Sequence, residues 1–285
     1  MAHDVSIVVP TLNGGGHFRN LARHLGTLRE RYGVEVLVID SGSTDGSDRV
    51  AEEAGFAVHR IPRSEFGHGR TRNLGARLTR GATICFLTQD VLPVTADWPL
   101  RLDAALRRDP RLAGVYGRQI PRDATTMEMF FVAMNYPAEP LRFDPQPGGH
   151  TPRPGRVVFS NAFSAVRRGA LLRVPFVDDV PVSEDQVWAH QALAAGWSLA
   201  YEPTAEALHA HSYSLRGLFR RTFLVGRALR GIGLDGGATL GESARFLGTE
   251  LKYFMRQGHT HRLPQLLTYE FVRWAGFQAG RRAGA

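Results

Sequence analysis

The chain is short of everything that would crosslink it or thread it through a membrane. It has one cysteine, Cys85, which excludes an internal disulfide framework and a cysteine-rich zinc site. Cys85 stands in an apolar run, residues 82–87, so a buried, unreactive thiol is expected. No segment offers the ~18 uncharged apolar residues that a bilayer span needs. Residues 1–10 have neither the basic start nor the apolar length of a secretory leader. The chain is therefore expected in the cytoplasm unless a partner or a surface holds it. There is no GK[ST] triplet, hence no P-loop, and no HExxH zinc pattern. Gly14-Gly15-Gly16 lacks the further glycine of a dinucleotide fingerprint. Lysine is also nearly absent: Lys252 is the only one among 35 basic residues, a compositional bias and not a functional signal.

What is present suffices for a folded core. With 285 residues, 43% of them hydrophobic and 22% charged, the chain can bury a sizeable core and is not a disordered composition. The formal net charge is +8, and its distribution is uneven. Residues 1–214 carry 23 basic and 23 acidic side chains, whereas residues 215–285 carry 12 basic and 4 acidic. The whole excess lies in the last quarter. Such asymmetry points to a polyanionic partner: anionic lipid headgroups, a diphosphate or nucleic acid. Nucleic acid is the weakest of these, because no helix-turn-helix, zinc-finger or RNP-like pattern accompanies the charge.

Hydrophobic periodicity predicts alternating strands and helices over the first ninety residues. Apolar runs at 5–10, 34–40, 56–61 and 82–88 read as strands. The spacing of Phe18, Leu21, Leu25 and Leu28 marks a helix face, and 69–79 reads as a further helix. This pattern implies βαβ units and an α/β fold with a mainly parallel, Rossmann-like sheet. Beyond Gly114 the pattern changes. Residues 137–154 contain six prolines and read as a long loop. Residues 157–166 read as a strand, 184–195 as a helix, and the arginine-rich remainder as helices.

Polar clusters follow three of the predicted strands: Thr11-Leu12-Asn13, Asp40-Ser41 and Gln89-Asp90. The carboxyl edge of an open α/β sheet is where ligands bind. Asp40 there can accept from a base N–H or a ribose hydroxyl. Asp90 suits a hard divalent cation bridging a diphosphate. Arg72-Asn73, on a predicted helix after Gly67-His68-Gly69, suits phosphate. Ser183-Glu184-Asp185 opens another helix, where an ionised carboxylate can take a proton from an attacking hydroxyl. Of His209 and His211, the second is the expected metal or phosphate contact and the first a structural residue. Asn161 and Trp188 are placed on the acceptor side.

Taken in order, residues 5–13 (VSIVVPTLN), 38–45 (VIDSGSTD), 72–76 (RNLGA), 86–90 (FLTQD) and 183–186 (SEDQ) resemble the inverting glycosyltransferases of family 2, with a GT-A fold. The resemblance spans residues 5 to about 225. It implies that Pro10, Thr11 and Asp40 hold the nucleoside, with Asn13, Ser41, Arg72, Asn73 and Gln89 beside them. It further implies that Asp90 and His211 bind Mg²⁺ or Mn²⁺, that Asp185 is the catalytic base, and that Glu184 orients the acceptor. The implied division is a nucleotide-sugar half at 1–120, an acceptor half at 121–214 and a basic helical region at 215–285.

The family's DxD motif reads Thr88-Gln89-Asp90 here, without its first aspartate. This triplet is similar to that of bacterial rhamnosyltransferases, as are residues 66–73 (FGHGRTRN), 184–189 (EDQVWA) and 209–214 (HAHSYS). Those enzymes use dTDP-β-L-rhamnose and build cell-surface polysaccharides on glycan or lipid-linked acceptors. A UDP-hexose or galactofuranose donor, and a non-catalytic nucleotide-sugar-binding module, are the alternatives. The remaining expected partners are an anionic membrane surface, on the inner face of the cell membrane, and a second copy in a homodimer.

Overall fold

The computed structural model describes residues 4–121, 130, 132, 134–146, 158–209, 213–231 and 240–283. Its strands are β1 (Val5–Thr11), β2 (Glu35–Asp40), β3 (Ala57–Arg60), β4 (Thr83–Leu87), β5 (Leu92–Pro93), β6 (Leu112–Ile120), β7 (Leu141–Phe143), β8 (Phe163–Arg167) and β9 (Ser198–Leu208). They form one sheet in the order β3-β2-β1-β4-β8-β6-β9-β5, with β7 also on β9. The helices are α1 (Gly15–Tyr32), α2 (Ser47–Glu53), α3 (His68–Leu78), α4 (Trp98–Arg108), α5 (Arg168–Arg173), α6 (Glu184–Ala194), α7 (Leu215–Gly231), α8 (Leu240–Arg256) and α9 (Leu263–Arg282).

Sequence alternation explains the layering. In β1, Ile7 and Val9 face one side of the sheet and Val8 the other; in β4, Cys85 and Leu87 oppose Ile84 and Phe86. Both faces are apolar, so both must be covered. One is covered by Phe18, Leu21 and Leu25 of α1 and by Trp98, Leu102 and Leu106 of α4. The other is covered by Ala76 of α3, Leu171 of α5 and Trp188, Ala189 and Ala192 of α6. The result is an α/β/α sandwich with Cys85 fully buried, where burial pushes its thiol pKa up.

The parallel order expected from the sequence holds for β3-β2-β1-β4. Beyond β4 the sheet is mixed. β8 runs antiparallel to both β4 and β6, whereas β6 and β9 are parallel. β8 starts at Phe163, later than its apolar run implied, which leaves residues 158–162 as a loop at the sheet edge. The proline-rich loop also differs, because it contains β7, paired with β9 through Leu141–Phe143. Residues 147–157 lie outside the described set.

In the C-terminal region α7 and α9 touch backbone to backbone. A Cβ on Gly280 would stand 1.9 Å from the Phe223 carbonyl oxygen, and one on Gly276 would stand 2.2 Å from Thr222 Oγ1. Only glycine fits at these crossings. Val180, Val187 and Ala228 bury together, tying α7 to α6.

Candidate functional site

The parallel strands β1, β2 and β4 end at one edge, with Thr11 in register with Asp40. Both are buried, Asp40 being 2% exposed. Asp40 Oδ1 accepts from the Gly42 and Ser43 N–H groups at 2.9 Å. Its Oδ2 is buried with no hydrogen-bond partner among the described residues. A buried carboxylate oxygen left over at a sheet edge asks for a donor from a ligand. Ser41 is committed to Thr11, donating from its N–H (2.9 Å) and its hydroxyl (3.1 Å) to the Thr11 carbonyl.

Asn13 has a left-handed backbone (φ 49°) that asparagine tolerates. It braces two loops: its N–H donates to Ser43 Oγ and its Oδ1 accepts from the Thr44 N–H. Asp45 completes the brace by accepting from Gly15 N–H and from the Ser47 N–H and hydroxyl. The Ser47 hydroxyl, first among these, holds its pKa below the usual carboxylate value. Pro10, in register with Ile39, continues β1 into this edge.

Gln89 clamps the same edge. Its Oε1 accepts from the Leu12 N–H at 2.8 Å and its Nε2 donates to the Leu12 carbonyl at 3.1 Å. The middle residue of the Thr88-Gln89-Asp90 triplet is thus spent on the β1 loop. Asp90, next to it, lies 3.8 Å from His209 Nε2. His209 Nδ1 is 2.6 Å from Gln119 Oε1. Because that amide oxygen can only accept, Nδ1 carries a proton, and Nε2 is the ring nitrogen on the Asp90 side. The histidine expected to be structural is therefore the one set against Asp90. His211 lies outside the described residues. Among the described residues no group of three or more His, Cys, Asp or Glu is placed to hold a metal. One carboxylate and one imidazole still suit a divalent ion that takes its other ligands from phosphate and water.

The edge continues through β8 to α6. Thr88 N–H donates to the Ala162 carbonyl, and the neighbouring Asn161 N–H donates to Asp185 Oδ2 at 3.1 Å. Ser183, capping α6, has φ 64°, a strained value for a non-glycine residue. Asp185 Oδ1 also accepts from the Gln186 N–H at 2.8 Å. Burial, then the charge of Glu184, raises the Asp185 pKa to about 7, against the Asn161 N–H, Arg72 and the Gln186 N–H. Tyr136, whose hydroxyl meets Ser160, feels the same carboxylate. A carboxyl poised near neutrality at a ligand edge can accept a proton there.

Glu184 is 5% exposed and pairs with Arg72 at 2.9 Å; its Oε1 also meets Asn161 Nδ2 at 3.5 Å.

Three placements correct the sequence reading. Arg72 is buried against Glu184 instead of presenting a free guanidinium to phosphate, because a buried charge requires a counter-charge. Asn73 is spent on the 176–178 loop, bonding the Phe176 carbonyl and N–H and Asp178. Trp188 is fully buried between Phe159 and Phe176, with its indole N–H on the Val174 carbonyl; it packs the core and offers no surface to an acceptor. Gln119 and His209 were missed as a pair. A glutamine within an ordinary strand gives no signal in sequence.

Comparison with known proteins bears on this arrangement. The model of the glycosyl transferase family 2 matches residues 6–174. Two curated relatives, the O-antigen chain rhamnosyltransferases RfbN of Salmonella typhimurium and WbaN of Salmonella anatum, are each 29% identical, over 97% of this chain and 89% of their own. The fold is similar to that of the mannosyltransferase PcManGT from Pyrobaculum calidifontis, solved with GDP-Man and Mn²⁺ (TM-score 0.61, 19% identity, 100% of this chain and 77% of that one). It is also similar to glucosyl-3-phosphoglycerate synthase from Mycobacterium tuberculosis with Mn²⁺, UDP and glucosyl-3-phosphoglycerate (TM-score 0.57, 19% identity, 80% of each chain).

Proposed function

The chain belongs to glycosyl transferase family 2, and from that premise we propose that it transfers L-rhamnose from dTDP-β-L-rhamnose, with inversion, to a hydroxyl of a glycan or lipid-linked acceptor. The names of its two Salmonella relatives support the sugar and a role in cell-surface polysaccharide synthesis. Residues 1–120 carry the donor, residues 121–214 the acceptor and the base, and residues 215–285 a basic helical extension. Its place is the cytoplasmic side of the membrane.

The observation that carries this reading is Asp185, held at the ligand edge by the Asn161 N–H and raised to about 7. Asp185 takes the proton of the acceptor hydroxyl as that oxygen attacks the anomeric carbon. The bond to the diphosphate breaks on the opposite face, its electron pair leaves with dTDP, and a β-linked donor gives an α-linked product. Asp40 Oδ2 accepts the N–H of the base, which answers its missing partner. Glu184 is fixed by Arg72 and sets the orientation of the acceptor. Asp90 and His209 would hold a Mg²⁺ or Mn²⁺ ion, which would supply charge neutralisation for the leaving diphosphate.

A thermal-shift panel of dTDP-, UDP- and GDP-sugars with and without Mn²⁺ tests the donor. The expected result is the largest stabilisation with dTDP-rhamnose plus metal. A larger shift with a UDP-hexose or UDP-galactofuranose would overturn the rhamnosyl assignment, and binding without any transfer would reduce the protein to a binding module. Titrating Mn²⁺ into His209→Ala and His211→Ala, with dTDP present, tests the metal set. Lost affinity in the first variant alone is expected; lost affinity in the second alone would return the role to His211.

A further inference from the structure

The α7–α9 pair has an outer surface that the reaction does not use. On α9, Leu267, Phe271 and Trp274 are 47%, 65% and 45% exposed. Their spacing places them on one face of the helix, because residues three and four apart are neighbours. Gly276 and Gly280, which meet α7, occupy the opposite face. Soluble surfaces expose single apolar residues freely, but a Leu-Phe-Trp row along one helix marks an interaction surface.

Charge selects the partner. On α7, Arg216, Arg220, Arg227 and Arg230 are exposed, while Arg221 lies within electrostatic reach of His68, on the side of Glu184 and Arg72. Both carboxylates described in this region are withdrawn from solvent. Glu250 is 2% exposed and Glu270 is ion-paired with Arg273. The helical pair thus carries exposed arginines on α7 and an exposed aromatic row on the face of α9 turned away from α7. A second copy meeting it through a two-fold axis would bring these arginines toward like charge, whereas anionic headgroups neutralise them. No helix described is long and apolar enough to cross a membrane, so the helix lies along the interface, where Trp and Phe rings are favoured.

We propose that the Leu267–Phe271–Trp274 face of α9, with the arginines of α7, seats the protein on the surface of an anionic lipid bilayer. This deepens the location proposed above and rests on it only for the choice of leaflet. The seat holds whichever sugar is transferred.

Flotation of the full chain with vesicles of phosphatidylcholine, alone or mixed with phosphatidylglycerol, reads it directly. Binding to the mixed vesicles is expected, weakening as salt rises. Trp274 supplies an internal probe, since Trp98 and Trp188 are fully buried and Trp197 is half-buried against the sheet core; its emission should move to the blue on anionic vesicles, and Trp274→Phe should abolish the shift. Phe271→Ser with Trp274→Ser should lower vesicle binding by about tenfold or more. Neither residue is in the site, so turnover on a water-soluble acceptor should persist and certify the fold. Equal binding to both vesicle types, or binding undiminished by the double substitution, would overturn the proposal. So would a dimer in light scattering that the double substitution dissolves, or nucleic acid displacing the protein from vesicles through the same two residues. A wrong donor assignment would leave every one of these lipid readouts unchanged.

Discussion

The molecule contains two carboxylate pairs built on the same electrostatic plan. In one, Glu184 is ion-paired to Arg72 and its neighbour Asp185 is raised to about 7. In the other, Glu270 is ion-paired to Arg273 and nearby Glu250 is raised to about 8. Burial is the first cause of the raised value in both. Their surroundings separate them. Asp185 is half-buried at the carboxyl edge of the sheet, linked through Asn161, Ala162 and Thr88 to the Asp90 loop. Glu250 is 2% exposed between two C-terminal helices, with Phe254 and Leu266 nearby in the same packing. A raised pKa reports desolvation; only position and access turn it into a catalytic group.

The largest contrast should appear in turnover. Asp185→Asn should lower kcat by about 10²–10⁴-fold, while Glu250→Gln should leave steady-state turnover near that of the wild type. A comparable loss in both would erase the distinction. Next come the arginines. Arg72→Met leaves Glu184 charged and alone in a buried site, and should cost about 3–5 kcal/mol in chemical denaturation. Arg273 is more open, with its side chain 28% exposed. Arg273→Met should cost only about 1–2 kcal/mol, since water screens the remaining charge.

In their response to pH the two pairs should agree in sign. Each raised carboxyl binds its proton more tightly folded than unfolded, where Asp and Glu titrate near about 4. The stability this gives is full below that value and is lost as pH rises through about 7 for Asp185 and about 8 for Glu250. Thermal melts should therefore show Glu250→Gln gaining on the wild type between pH 5 and pH 9, conditions of roughly opposite protonation. Asp185 should in addition give kcat/KM an acid limb near pH 7, which Glu250→Gln leaves in place.

Much of the first pair was legible in the sequence, and little of the second. β-Branched runs ending in Asp40 and Asp90 declare strands whose last residues face a ligand edge, and Ser183-Glu184-Asp185 declares a helix start. What the residues could not declare are pairings set by topology. The antiparallel entry of β8 between β4 and β6 brings Asn161 to Asp185, and no periodicity encodes that. Arg72 meets Glu184 only because α3 and α6 cover the same sheet face. His209 meets Gln119 because β9 runs beside β6 in register, a pairing that periodicity does not encode. Nothing in the local sequence around Gly276 and Gly280 declares that α7 packs against them.

The account's central claim is that one sheet edge divides two tasks between two acids, Asp40 holding the nucleotide and Asp185 moving the proton. Calorimetric titration of dTDP-rhamnose with metal, alongside turnover, on Asp40→Asn and Asp185→Asn tests this directly. Asp40→Asn should weaken donor binding, and Asp185→Asn should keep it while turnover collapses. Unchanged donor affinity in Asp40→Asn together with near-normal turnover in Asp185→Asn would contradict the claim.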